Sequence, residues 1–141
     1  MSPKSFSSRN NADSALPLFA SSVHAGFPSP ADDFIDRPLD LNEHLIRHPA
    51  ATFFVKVQGD SMIDAGIHPG SLLVVDRSLQ ARSGSIILAI LDGEFTVKRL
   101  KKERDRIMLC PENLNYKPVL VAPGQDFEVW GVVVHVVRSF I

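Results

Sequence analysis

The dipeptide Asp92-Gly93 constrains this chain more than any other feature. It stands between two strand-like runs, Ser85 to Leu91 and Glu94 to Lys101. A two-residue link of this type favours a hairpin turn with positive φ at both positions, which Asp-Gly tolerates well. The second run is therefore expected to return antiparallel beside the first. Ile86-Ile87-Leu88-Ala89-Ile90-Leu91 is apolar throughout, so both faces of the hairpin should be at least partly covered. On the returning strand Phe95 and Val97 face one side, and Thr96 and Lys98 the other.

The rest of the second half reads the same way. Phe53, Val55 and Val57 alternate with Phe54, Lys56 and Gln58, and Ser71 to Asp76, Arg106 to Leu109 and Phe127 to Val137 supply further strands. The turns between them are rich in Gly, Pro and Asp. The pattern predicts a mainly β fold, a compact antiparallel body over residues 39–141. One short helix is expected at its start. Asp40 can cap it, Glu43 completes a capping box, Leu41, Leu45 and Ile46 form its apolar stripe, and Pro49 ends it. Residues 1–38 read as a mobile N-terminal arm, rich in Ser, Asn, Asp and Pro. Such a segment buries too little apolar surface to offset its ordering entropy alone, although Leu16, Leu18, Phe19 and Phe27 offer it a way to dock.

Composition narrows the function. A length of 141 residues suits one domain with a tail. Lys+Arg number 15 and Asp+Glu 16, without the basic excess of a phosphate-gripping protein. The cluster Lys98-Arg99-Leu100-Lys101-Lys102 is answered by Glu103 and Asp105 and reads as a solvated strand end, so strong direct DNA binding is not expected. The single cysteine, Cys110, has no partner for an internal disulfide, fits a reducing cytosol, and reads as a small buried apolar residue. The longest apolar stretch, Val129 to Val137, is too short to span a membrane and contains His135. Lys4 and Arg9 precede the patch Ala15 to Ala20, and Val23-His24-Ala25 has the small-x-small form of a signal-peptidase site. The patch is short, however, and Asp13 and Pro17 interrupt it. A cytoplasmic location is expected.

No cofactor or metal is expected either. His44 and His48 are four apart, but no Glu follows His44 and no third ligand is evident. His135 reads as a satisfied core or interface histidine. Trp130 and Phe127 read as core or dimer contacts rather than base-stacking platforms. There is no Gly-rich phosphate loop and no carboxylate cluster.

The candidate chemistry lies in Gly59-Asp60-Ser61-Met62. Gly59 permits a sharp turn at the end of a strand, which would present the Ser61 hydroxyl just past a rigid element. A serine needs a base to become a nucleophile, and none of the five histidines sits in a triad motif. Lys98, 37 residues later on the covered hairpin, can serve if lost hydration lowers its pKa and leaves the amine neutral. The plainer reading makes Ser61 a turn residue and leaves the Lys98 head in water. Lys56 is a rival base, but it lies on the strand leading directly into Ser61.

Three ordered motifs add weight: Gly59-Asp60-Ser61-Met62, Gly66-Ile67-x-Pro69-Gly70-Ser71, and Gly93-Glu94-Phe95-Thr96-Val97-Lys98-Arg99-Leu100. They resemble the LexA/UmuD family of Ser–Lys self-cleaving proteins. Gly26 to Ala31, Asp40-Leu41-Asn42, His48-Pro49, Phe53 to Lys56 and Gly131 to Val137 also resemble its UmuD branch. The similarity runs from about Gly26 to the C-terminus. The resemblance implies Ser61 as nucleophile, Lys98 as general base and Ala25-Gly26 as the scissile bond. UmuD branch members often have Cys-Gly there and LexA-type repressors Ala-Gly. It further implies a homodimer, stimulation by a RecA–single-stranded DNA filament, and a UmuC-type translesion polymerase as partner.

Three other readings compete. A LexA-like repressor needs a DNA-reading domain, and the 25 residues before Gly26 show no helix-turn-helix pattern. A signal peptidase needs a membrane anchor. A non-enzymatic β-rich polymerase-binding adaptor would need neither Ser61 nor Lys98.

Overall fold

The computed structural model describes residues 14–19, 22–28 and 37–141. Lys4, Arg9, Asp13 and the Ser29 to Ala31 stretch lie outside the described residues. The chain divides into two compact units, 1–47 and 48–141.

In the first unit, β1 (Ala15–Leu16) pairs antiparallel with β2 (Leu39–Asp40). Helix α1 (Leu41–Leu45) follows at once, and Asp40 caps it by accepting the Asn42 N–H at 3.0 Å. The helix is shorter than expected. It ends at Leu45, with Ile46 already extended, and Pro49 instead opens a 3-10 turn, Pro49–Ala51. Proline suits a first helical position because the N–H it lacks would have no intrahelical partner there. Its expected stripe does not form part of a core, since no residue of α1 is buried.

The second unit is one antiparallel sheet of seven strands. These are β3 (Thr52–Lys56), β4 (Leu72–Asp76), β5 (Ile86–Leu91), β6 (Glu94–Glu103), β7 (Arg106–Cys110), β8 (Val119–Val121) and β9 (Phe127–Val137). Their order across the sheet is β3-β4-β9-β5-β6-β7-β8. The fold class is mainly β, as the strand pattern predicts. Leu91 pairs with Glu94 across Asp92-Gly93, whose φ angles are 50° and 83°. That is the positive-φ hairpin expected of Asp-Gly. A second two-residue hairpin, Arg104-Asp105, closes between Glu103 and Arg106. It lacks Gly or Asn and so carries a weaker turn signal; Arg104 takes φ 52°.

Strand β5 explains its own unbroken apolar run. Leu88 joins a cluster with Met62, Ile67, Leu73 and Val75, while its neighbours Ile87 and Ala89 join another with Leu100 and Leu109. Successive strand residues point to opposite faces, so the two clusters cover both sides of β5. Met62 and Ile67 come from the loop after β3. Burying side chains of this size contributes roughly 1.5–3 kcal/mol each, and here it also ties the Ser61 turn to the body.

The C-terminal strand β9 lies between β4 and β5. Its register slips twice, opposite Val74/Val75 and opposite Leu88/Ala89. Each slip leaves one extra residue on β9, which bends the strand. The second falls at Trp130, whose ring meets Phe53 and Phe95 edge-on and lies under the Arg77 guanidinium at 4.5 Å. Trp130 and Phe127 thus pack against the two clusters. His135 sits opposite Val74 midway along the β4–β9 ladder and is exposed in the single chain, so it is not a core histidine.

His48 also takes a role that its spacing from His44 does not suggest. Its Nδ1 lies 2.6 Å from Asp76 Oδ2. Asp76 is 3% exposed, and its Oδ1 accepts both the N–H and the hydroxyl of Ser78. Burial pushes the Asp76 carboxyl up, but the bonds from Ser78 and His48 outweigh it and hold the group below its ordinary value. The carboxylate is therefore charged, and His48 Nδ1–H donates to it.

At Gly131 the neighbouring strand leaves no room for a side chain. A Cβ there would stand 2.5 Å from Val75 Cγ1 and 3.3 Å from the Asp76 carbonyl oxygen. Val75 is fully buried and has no room to retreat. Gly131→Ala is expected to destabilise the protein by about 1–3 kcal/mol, as overpacked cores do. Urea denaturation checks this, and a change below about 0.5 kcal/mol, the range of an ordinary surface substitution, would contradict it.

Candidate functional site

The loop between β3 and β4 turns at Gly59, whose φ of 83° is a left-handed conformation that favours glycine. Asp60 and Ser61 follow, and then Met62 drops into the core. A 3-10 turn, Ile63–Ala65, closes on Gly66. Ser61 is thus the last polar residue before an anchor, and its hydroxyl is held at one end of a cleft. The cleft has a volume of about 340 Å³; Val55, Val57, Met62, Leu88, Phe95 and Val97 line part of it, and Gln58, Thr96 and other polar residues line the rest.

Lys98 enters the same cleft from β6. Its Nζ lies 3.0 Å from Ser61 Oγ, 2.8 Å from Thr96 Oγ1 and 3.1 Å from the Val97 carbonyl oxygen. The pair that the sequence separates by 37 positions is therefore in hydrogen-bond contact. Lys56 also lines the cleft, but the amine on Ser61 is that of Lys98. Burial strips water from this amine and lowers its pKa. The ammonium form donates three N–H bonds, one to each oxygen. The neutral amine keeps two N–H groups and a lone pair. The Val97 carbonyl can only accept, so it takes one N–H. With Thr96 taking the other, the lone pair is left to receive the Ser61 proton. Thr96 was legible in outline, because it shares a strand face with Lys98 at a spacing of two.

Sequence reasoning missed the segment that braces the turn. After β7 the chain runs through Glu112, Asn113 and Tyr116. The Glu112 N–H donates to the Ser61 carbonyl at 2.8 Å, and the Glu112 carbonyl accepts from Asp64 N–H at 2.8 Å. Arg99 Nε donates to Glu112 Oε1 at 2.5 Å, and Arg99 also reaches the Gly84 carbonyl at 2.6 Å. The reading of the basic cluster as a solvated strand end holds for exposed Lys101 and Lys102, with Glu103 answering Lys101, but not for Arg99, which is pinned, or Leu100, which is fully buried. Asn113 Nδ2 donates to the Asp60 carbonyl at 2.9 Å, and Tyr116 OH donates to Asp60 Oδ1 at 2.5 Å. The hydrogen bond to Asp60, and its charge, hold the Tyr116 hydroxyl above its ordinary pKa, so it stays a donor. Nothing local in Pro111-Glu112-Asn113 signals these distant partners.

Ala25 and Gly26 belong to the first unit, and both are exposed. Among the described residues no cluster of His, Cys, Asp or Glu could hold a metal, and no helix is long and apolar enough to cross a membrane.

A β body presenting a serine hydroxyl to a desolvated amine has the features of a serine peptidase. The profile of one family, Peptidase S24-like, matches residues 17–134. Protein MucA of Salmonella typhimurium is 46% identical over 122 residues, covering 86% of this chain and 83% of that protein. Protein SamA of Salmonella typhimurium strain LT2 is 48% identical over 126 residues, 89% of each. The LexA repressor of Stenotrophomonas maltophilia is 47% identical over 110 residues, covering 78% of this chain and 52% of the repressor. The chain belongs to the Peptidase S24-like family, as a UmuD-like member.

The state of the Lys98 amine has a measurable consequence for stability. Its folded pKa is below the ordinary value of 10.5, so the unfolded chain binds that proton more tightly. Wild-type stability is therefore eroded as pH falls from the unfolded pKa towards the folded one. Lys98→Met removes this proton linkage. The unfolding free energy of Lys98→Met minus that of wild type is expected to be larger at pH 7 than at pH 10. A pH-independent difference, measured by denaturant titration, would mean that the amine is as well hydrated in the fold as in the open chain.

Proposed function

We propose that this protein is a self-cleaving component of the bacterial SOS mutagenesis response, acting in the cytoplasm. Neutral Lys98 takes the Ser61 proton as Ser61 Oγ attacks the Ala25 carbonyl carbon. The tetrahedral intermediate collapses, the Ala25–Gly26 bond breaks, and the Gly26 amine leaves with the proton from Lys98. Lys98 then takes a proton from water, which attacks the Ala25 ester, and returns that proton to the Ser61 oxygen as it leaves, restoring Ser61 and the neutral amine. The arm, residues 1–38, delivers the bond to the domain at 39–141, and tethering raises the effective concentration of a poor substrate. Small residues suit the bond, since Gly26 allows close backbone approach.

One observation carries this reading: the 3.0 Å contact between the Ser61 hydroxyl and a lysine amine whose charge is disfavoured by burial. Membership of the Peptidase S24-like family supports the chemistry. The family resemblance supports the remainder. A RecA–single-stranded DNA filament stimulates cleavage, and the processed homodimer serves as accessory subunit of a UmuC-type translesion polymerase.

Mass spectrometry after incubation at alkaline pH tests this, with a parallel incubation containing RecA, ATP and single-stranded DNA. Wild type should release a fragment beginning at Gly26, at a rate that rises with pH as Lys98 loses its proton. Ser61→Ala and Lys98→Ala should remain intact. A folded wild-type chain that stays whole under both conditions would favour the non-enzymatic adaptor instead.

A further inference from the structure

We propose that Asn113 is a positioning residue for this cleavage, holding the Asp60–Ser61 peptide so that the Ser61 N–H is presented to the oxyanion formed when Ser61 attacks. The inference rests on the self-cleavage reading above and assigns a role to a residue outside the Ser61–Lys98 pair.

The geometry of one peptide unit carries it. The Asp60 carbonyl accepts two hydrogen bonds, from Asn113 Nδ2 at 2.9 Å and from the Ile63 N–H at 3.2 Å. The chain has no cis peptide among its described residues. In a trans unit the N–H points opposite to the C=O, so fixing the Asp60 carbonyl towards Asn113 fixes the Ser61 N–H on the other side. Among the described residues, no hydrogen bond uses that N–H as its donor. A strong donor beside the nucleophile is thus oriented from behind and left without an acceptor.

Asn113 is itself fixed at both ends of its amide. Its Oδ1 accepts the Asn115 N–H at 3.0 Å, which leaves Nδ2 for Asp60, and its carbonyl accepts the Tyr116 N–H at 3.1 Å. The same loop grips both flanks of the peptide, through Tyr116 on the Asp60 carboxylate and the Glu112 N–H on the Ser61 carbonyl. An oxyanion donor is useful in proportion to how little it must reorganise during reaction. Without Asn113 the Asp60 carbonyl itself keeps only the longer Ile63 bond.

Asn113→Ser is the informative substitution. Its neutral hydroxyl can still accept from Asn115, as serine does in turns of this kind, but is too short to reach Asp60. The readout is the rate of self-cleavage of the full chain as a function of pH, with wild type and Ser61→Ala beside it. The plateau rate is expected to fall about 10- to 100-fold, somewhat less than losing an oxyanion donor outright. The pH midpoint, set by Lys98, should not move. If Asn113→Ser does not fold, Asn113→Ala is measured in its place with the same expectation. An unchanged plateau in a folded variant overturns the inference, and so does a lower plateau with a shifted midpoint, which would mean that the loop merely supports the Ser61–Lys98 contact. Failure of wild type to cleave would instead defeat the parent reading, and this inference with it.

Discussion

A half-buried amine with no carboxylate among its hydrogen-bond partners is the condition on which the rest of this structure turns. Lys98 meets three oxygens, all of them neutral groups. Three neutral acceptors do not make up for the water the charged form loses, so burial moves its pKa down. A carboxylate at the same spot would restore the charge and remove the base. Asp76, an ionic group buried in the same sheet, shows the contrast. Asp76 is more deeply buried, yet His48 and Ser78 bond to it and keep it charged. One group is partnered to stay ionised and structural. The other has only neutral partners, and burial disfavours its charge.

Holding Lys98 there depends on the hairpin. Strand β6 is pinned on one side by β5, with Lys98 opposite Ile87, and by β7 from Arg99 onward. The clusters on the two faces of β5 make that hairpin a rigid wall. Ser61 is brought to the wall by Met62, which is anchored in the cluster that contains Leu88. Packing and chemistry thus share residues: the side chain that fills the core is next in the chain to the one that lines the cleft. The loop at residues 112–116 completes the arrangement from behind, tied back to β6 through the Arg99–Glu112 contact.

Much of the fold was legible because local rules and tertiary needs agree. Asp92-Gly93 called for its hairpin, Phe53 and Val55 alternated with Phe54 and Lys56 as the edge strand requires, and Phe127 to Val137 stood as one strand. The disagreements have physical causes. Pro49 was read as a helix stop, yet it starts a 3-10 turn. The Arg104-Asp105 turn was not legible because it puts Arg rather than Gly or Asn at its positive-φ position, which strand pairing on either side imposes. Strand β8 is only three residues long and follows Tyr116-Lys117-Pro118, too brief for a period-two pattern to register.

By itself the sequence determined the strand alternation, the hairpin that carries Lys98, the glycine that turns the chain before Ser61, and the motifs by which the family resemblance was recognised. These are local: each is written in residue type and spacing over a few positions. Only the tertiary structure decided that the Lys98 amine meets Ser61 rather than solvent, that His48 belongs to Asp76 rather than to His44, and that Asn113 reaches the Asp60 carbonyl across 53 positions of chain. Such contacts depend on how strands order themselves across a sheet, and long-range pairings of this kind follow from burying both faces of β5 at once. No short window of sequence contains that requirement.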